Sequence, residues 1–365
     1  MKDRPTQRDI ARSCGVSQMT VSLALRGSPK ISPPVRNKIL QAAKKLQWRP
    51  DPALSVLTAY RNRNAGQRNP ATIGWVTNWP TSNGWRDGHP VYDAYFRGAT
   101  ARAESLGYKV EEFWLSAPGM TAARLNKVFY TRNITGLLLP PQPRAHSRLC
   151  LAWEKLAAVS FGFTLEKPAL HIATNHHFRS AILAMRKLGD LGYRRVGILL
   201  DQRYDSRVDY SWLAGCLMEQ RRSPRAEVVP IASLESLSLD ALREYLRRHR
   251  PDAILTNFWN TAAWLKQLNI AVPGELGLAY LSVDETRSAF SGINENSFAI
   301  GEAALDLLAT MIQRNEIGIP AIPRHIMIDG YWVPGRTVRR VNRPDQAAKS
   351  GRPSFSVKPE DASPR

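Results

Sequence analysis

Thr6-Gln7-Arg8-Asp9-Ile10-Ala11-Arg12-Ser13-Cys14-Gly15-Val16-Ser17-Gln18-Met19-Thr20-Val21-Ser22-Leu23-Ala24-Leu25-Arg26-Gly27 is the stretch on which the fold turns. Thr6 caps a first helix whose Ile10 and Ala11 face inward. Gly15 supplies the positive φ that ends it. Ser17 caps a second helix from Gln18 to about Leu25, and Gly27 stops it. Ser32 then caps a third helix with Pro33 at its first position, where a missing N–H costs nothing. On that helix Val35, Ile39, Ala42, Ala43 and Leu46 share one face. The expectation is a small all-α domain over residues 1–49, with a helix-turn-helix at its front.

The second helix has an unusual front. Ser17, Gln18, Met19, Thr20 and Ser22 point outward while Val21, Ala24 and Leu25 pack inward. An α-helix fits the major groove of DNA, and its first turn can present side chains to base edges. Gln18 is the best direct reader, because an amide can bond adenine through two atoms. Met19 can touch a thymine methyl. Ser17, Thr20, Ser22 and Ser32, with Thr6 at the head of the first helix, suit phosphate contacts. Arg8, Arg26 and Lys30 add positive charge. The competing reading is a three-helix domain that binds protein, its polar residues an ordinary solvated face.

Charge favours the first reading. The chain of 365 residues has 51 Lys+Arg against 31 Asp+Glu, a net +20. Residues 1–69 hold fourteen basic and three acidic residues, and residues 339–365 hold seven and three. More than half of the excess therefore sits in the first fifth of the chain, where a polyanion would bind. An apolar fraction of 43% gives material for a sizeable core. The three cysteines are widely spaced, no apolar run is long enough for a bilayer, and the N-terminus leads into no secretory h-region. The expected location is cytoplasmic.

Beyond the trihelical unit, residues 50–71 form a connector. Pro50 and Pro52 break the preceding helix, and Ala53–Leu57 reads as one short hinge helix before a basic linker. From Thr72 onward, continuous apolar runs at Ile73–Val76, Gly136–Leu139, Leu156–Phe161, Val196–Leu200, Ala253–Leu255 and Leu278–Val283 suit strands buried on both faces. Helical segments at 92–106, 121–131, 178–191, 209–221, 238–249 and 299–314 lie between them. This alternation predicts a doubly wound α/β domain over residues 72–338, split into two lobes. Residues 339–365, rich in Pro, Ser and charge, read as a disordered basic tail.

The N-terminal pattern resembles the LacI/GalR family of bacterial transcription regulators, through Asp9-Ile10-Ala11, Gly15-Val16-Ser17, Thr20-Val21-Ser22 and Leu25-x-Gly27. The match continues to Trp48-Arg49-Pro50-Asp51-Pro52. The resemblance implies the DNA contacts named above. It also implies a hinge helix that enters the minor groove, with Leu57 as the wedge that kinks DNA. Leu54 and Leu57 packing subunit against subunit is the other reading of that helix. The sequence departs from the family at Leu23, where Arg or His is common, and at Arg26 and Asp51, where Asn is common.

Residues 72–338 resemble, more loosely, the same family's periplasmic-binding-protein-like effector domain. The likeness runs through His89-Pro90-Val91-Tyr92-Asp93-Ala94-Tyr95-Phe96-Arg97-Gly98, Lys187–Val196, Val272–Gly277 and Gly292–Leu308. Ligands of such folds sit beyond the carboxyl ends of the strands, between the lobes. Asn78, Trp79, Trp85 and Tyr92 follow the first strand and suit a sugar ring. Trp212 stands where the family has Arg, so Arg207 is expected to replace it as a polar anchor, with Asp284 as a second. Asn175, Trp259 and Asn260 are further candidates, Asn175 standing where an Asp is usual. No GxSxG, Walker loop, GxGxxG or HExxH occurs, and His171, His176 and His177 lack partners at metal-site spacing. No enzyme, cofactor or metal is expected.

Together these readings predict a sequence-specific DNA-binding transcriptional regulator of the repressor kind. It would act as a homodimer on a pseudo-palindromic operator and answer to a small-molecule effector, a sugar being the class the resemblance implies. The alternative is a cytoplasmic solute-binding or sensory protein whose small domain binds another protein.

Overall fold

The computed structural model describes residues 5–25, 31–46, 48, 71–87, 90–223 and 227–341. Three helices open the chain: α1 (Gln7–Cys14), α2 (Gln18–Leu25) and α3 (Pro33–Lys45). The backbone N–H and the hydroxyl of Thr6 both donate to the Asp9 carboxylate, at 2.8 and 2.7 Å, closing the first turn of α1. Gly15 ends α1 at φ +66°, and its N–H reaches back to the Ala11 and Arg12 carbonyls. Ser17 Oγ accepts the Thr20 N–H at 3.1 Å and caps α2. Helices of eight residues are too short to persist alone. Here they share one buried core of Ile10, Ala11, Cys14, Val21, Ala24, Ile39 and Ala43, with Val35, Leu46 and Trp48 packed against it.

From Ala71 the chain builds two sheets. The first comprises β1 (Ala71–Thr77), β2 (Tyr108–Trp114), β3 (Gly136–Leu139), β5 (Ala157–Phe161), β7 (His171–Asn175) and β13 (His325–Ile328), in the order β13-β7-β5-β3-β1-β2 and parallel throughout. A small ribbon of β4 (Ser147–Arg148) and β6 (Leu165–Lys167) lies apart from it. The second sheet comprises β8 (Val196–Asp201), β9 (Ala232–Leu234), β10 (Ala253–Thr256), β11 (Gly277–Tyr280), β12 (Ser291–Asn294) and β14 (Tyr331–Val333). Its order is β14-β12-β11-β10-β8-β9, with only the β12–β14 pair antiparallel.

Helices cover both faces of each sheet, as parallel sheets require. On the first, α4 (Pro90–Leu106) and α10 (Ser297–Arg314) bury Tyr95, Ala99, Ile300, Ala304 and Leu308 against Ile73, Leu138 and Val159. The opposite face takes Leu125 and Phe129 of α5 (Ala122–Thr131). On the second sheet, α6 (His177–Asp190) and α7 (Ser211–Arg222) cover one face. α8 (Leu239–His249) and α9 (Thr261–Gln267) cover the other. No helix among the described residues is long and apolar enough to cross a membrane.

The chain passes between the lobes at three places: from β7 to α6, from β12 to α10 and from β13 to β14. Asn175 binds these passages together. Its Nδ2 donates to the Glu295 and Ile328 carbonyls, each at 3.0 Å, and its Oδ1 accepts from Ser180 Oγ at 2.7 Å. Buried, with both side-chain polar atoms hydrogen-bonded, Asn175 acts as a structural clasp and does not line the interlobe cavity where the sequence reading placed it.

Candidate functional site

Two regions gather the chemistry. The first is the front of α2. Ser17, Gln18 and Met19 are exposed there, Met19 by 73%, while Val21 and Ala24 behind them are buried. The Ser17 and Thr20 hydroxyls meet at 2.8 Å. Thr6, Arg8 and Ser32 are exposed, and Thr20 and Ser22 half-buried. Arg8 Nε donates to Gln18 Oε1 at 3.2 Å, so α1 touches the front of α2 through side chains as well as through the core. Arg26, Lys30 and Leu57 lie outside the described residues, as does nearly all of the connector over residues 50–71.

The second region is a cavity of about 120 Å3 between the lobes, at the carboxyl ends of the strands. Tyr92, Arg207, Trp259 and Asp284 line it, as do Tyr95, Thr174, His177, Tyr204, Trp212, Arg287 and Glu295, which the sequence reading did not assign. Arg207 comes from the second lobe and reaches the first. Its guanidinium donates to Tyr92 Oη at 3.0 Å, to the Gln142 carbonyl at 2.8 Å and to the Pro143 carbonyl at 3.0 Å. Burial pushes the Tyr92 phenol pKa up, against the pull of the Arg207 charge. Tyr95 is pushed well up by burial and then by the nearby Glu295 carboxylate.

Two other corners are already occupied by protein. The Trp259 ring stacks on Tyr280 with centroids 4.5 Å apart, and the Arg287 guanidinium covers it at 3.9 Å. Both neighbours hold it as cation–π and stacking partners, so it offers an edge to the cavity and no free face. Asp284 accepts the Thr286 N–H at 2.8 Å and pairs with Arg287 at 3.4 Å. Against these stand unsatisfied polar atoms in the wall: Trp212 Nε1, Arg207 Nε, Thr174 Oγ1 and His177 Nδ1 are buried without a hydrogen-bond partner. Such atoms need a polar partner.

The remaining sequence candidates sit elsewhere. Trp85 is fully buried among Trp75 and Phe96, with centroids at 5.3 and 5.5 Å, and belongs to the core. Trp79 lies behind the wall, its Nε1 donating to the Pro141 carbonyl at 2.9 Å and its ring 6.5 Å from Tyr92. Asn78 accepts from Ser116 Oγ at 3.0 Å, outside the cavity lining. An aromatic residue after a first strand reads alike whether it lines a cleft or fills a core. No sequence motif marked His177, Trp212 and Glu295 as a group, since α6–α7 packing brings the first two together and the β12–α10 crossing brings in the third. Among the described residues no group of three or more His, Cys, Asp or Glu side chains is placed to hold a metal ion.

Residues 6–51 match the family described as bacterial regulatory proteins, lacI family. Across most of its length the chain is similar to the HTH-type transcriptional regulator GntR of Escherichia coli (strain K12). The two are 26% identical over 289 residues, which cover 76% of this chain and 82% of the relative. Among solved structures, the transcriptional regulator CelR–cellobiose complex matches with a TM-score of 0.58 at 18% identity, covering 92% of this chain and 100% of that one. The lac repressor dimer bound to operator and the anti-inducer ONPF matches with a TM-score of 0.52 at 15% identity, with the same coverages. The two structural likenesses support the fold: a helix-turn-helix unit followed by two α/β lobes.

Proposed function

We propose that this chain, whose residues 6–51 match the lacI family, is a sequence-specific DNA-binding transcriptional regulator controlled by a small-molecule effector. The observation that carries this reading is the front of α2: Gln18 and Met19 stand exposed on a rigid three-helix core, beside two capped helix starts and in the most basic part of the chain. Backbone amides and cations hold phosphates and set register, while side chains at the helix front choose sequence. A single headpiece reads one half-site, so the active species is a homodimer on a pseudo-palindromic operator, in the cytoplasm. Repression, and a sugar as the effector, are the finer parts of the reading.

The test begins with sites selected from random DNA by the full-length protein. Gln18→Ala is expected to weaken the selected site by about 1–3 kcal/mol while random-sequence affinity holds. Equal losses on both DNAs in titrations at two salt concentrations would reject the readout.

For the effector we place the ligand in the interlobe cavity, which Trp212 and Arg207 line and where each keeps a buried N–H without a hydrogen-bond partner. Arg207 then acts on both sides of the response, since its three bonds join the lobes directly. Removing a charged donor from buried acceptors weakens the joined state. Arg207→Met should shift the lobe equilibrium toward opening by roughly 2 kcal/mol. Small-angle scattering reads this as a larger radius of gyration, and an unchanged curve would remove Arg207 from that role.

A further inference from the structure

We propose that Arg8 is a specificity-determining partner of Gln18, and that the pair reads a guanine where Gln18 alone would read an adenine; this rests on the DNA-binding reading above. The two side chains come from different helices joined through the Gly15 turn, and both line one open depression together with Ala11, Gly15 and Ser17. Arg8 Nε donates to Gln18 Oε1 at 3.2 Å. The neighbouring Arg12 turns to Asp9 at 3.6 Å instead, and among the described residues no carboxylate pairs with Arg8. Arg8 therefore spends its inner N–H on Gln18 and keeps its outer N–H groups at the surface.

The consequence follows from the donor and acceptor inventory of an amide. Reading adenine needs the glutamine oxygen to accept from N6–H while its nitrogen donates to N7. A guanidinium N–H on that oxygen takes up one lone pair and turns the NH2 away from Arg8. What the pair then presents outward is chiefly donors, the two N–H of Gln18 Nε2 and the outer N–H groups of Arg8, against the one lone pair left on Gln18 Oε1. A face made of donors complements guanine, whose N7 and O6 are both acceptors, and is mismatched to the N6–H2 of adenine. The tether also fixes a three-torsion side chain before docking, which lowers the ordering cost on binding.

The experiment is selection of half-sites from random duplexes with full-length wild type, Arg8→Met, Arg8→Lys, Gln18→Met and Arg8→Met/Gln18→Met, followed by affinity measurements on single-base variants of the selected site. The wild type is expected to select guanine at one position. Arg8→Met should move that position toward adenine, and Arg8→Lys should restore random-DNA affinity without restoring guanine, because a lysine lacks the fork. On the ratio of selected to base-swapped site, each single substitution should cost about tenfold and the double substitution little more than either one. Losses that multiply, or a uniform drop on all sequences with the base preference intact, would make Arg8 a phosphate contact and overturn the pairing. Adenine selected by the wild type would overturn it too. Failure of the wild type to enrich any sequence would instead remove the DNA-binding reading and the pairing with it. Matching circular dichroism spectra keep misfolded variants out of the comparison.

Discussion

Gly301→Val should destabilise the first lobe by about 4 kcal/mol or more, among the largest losses a single substitution in this chain can produce. Gly301 lies on α10 where that helix crosses α4. A Cβ there would stand 2.1 Å from the Tyr95 carbonyl oxygen and 2.8 Å from the Ala99 nitrogen. The contact is reciprocal, since a Cβ at Gly98 on α4 would stand 2.0 Å from the Phe298 carbonyl oxygen. Both obstacles are backbone, so no rotamer change relieves them, and the helices must separate to admit a side chain. Separation would uncover Tyr95, Ala99, Ile300 and Ala304 from their shared core. It would also move the cavity, because α4 carries Tyr92 and Tyr95, and α10 starts two residues after Glu295. Denaturant unfolding followed by tryptophan fluorescence checks the stability, and ligand titration checks the cavity. Gly189→Ala is the matched control: nothing lies within 4 Å of a Cβ there. It sits within α6, where alanine is favoured by up to about 1 kcal/mol. Equal stability of Gly301→Val and Gly189→Ala would refute the close-crossing argument.

What the sequence announced and what it hid divide along a physical line. The helix-turn-helix was legible because its signals are local: Thr6, Gly15 and Ser17 act on backbone groups within a few residues. Runs such as Ile73–Val76 and Gly136–Leu139 were legible because burial on both faces leaves an unbroken apolar string. β2 escaped that test. It is an edge strand whose Lys109, Glu111 and Glu112 break the run, and only Phe113 in it is fully buried. β7 escaped for the opposite reason. All five of its residues are buried, yet His-Ile-Ala-Thr-Asn reads as polar. Two of its polar side chains are satisfied from far along the chain, His171 Nδ1 by the Arg324 N–H at 2.9 Å and Asn175 by the Glu295 and Ile328 carbonyls. The same non-locality explains the cavity. Tyr92 was read from the segment after the first strand and Arg207 as a replacement for an Arg that the family has at Trp212, but that one bonds the other across the lobes is a fact of topology. Trp85 and Asn175 were placed by their neighbours in sequence and belong to the core and the clasp by their neighbours in space.

Asp205→Asn should stabilise the second lobe at neutral pH and should remove the pH dependence expected from this buried carboxyl. Asp205 is fully buried in the helical turn after β8, and neither carboxylate oxygen has a well-formed hydrogen bond. Burial penalises its charge. The Trp212 and Leu213 amides at the head of α7 face the carboxylate, and with the His177 ring they favour ionisation, but only in part. The balance raises its pKa from 3.8 to about 6. The folded chain holds this proton more tightly than the unfolded chain, so the contribution is complete below about 3.8 and is lost as pH climbs through about 6. A shift of that size corresponds to roughly 3 kcal/mol. Asparagine has the shape of the protonated acid and never bears the charge. Its advantage over aspartate should therefore be near zero at pH 4 and grow to as much as about 3 kcal/mol at pH 7.5, with the change centred between those limits. Urea unfolding of both proteins across this range gives the difference curve. A difference that stays flat, or an asparagine variant that loses stability at pH 7.5, would mean that the start of α7 holds the carboxylate ionised. Burial would then have lost to the helix terminus.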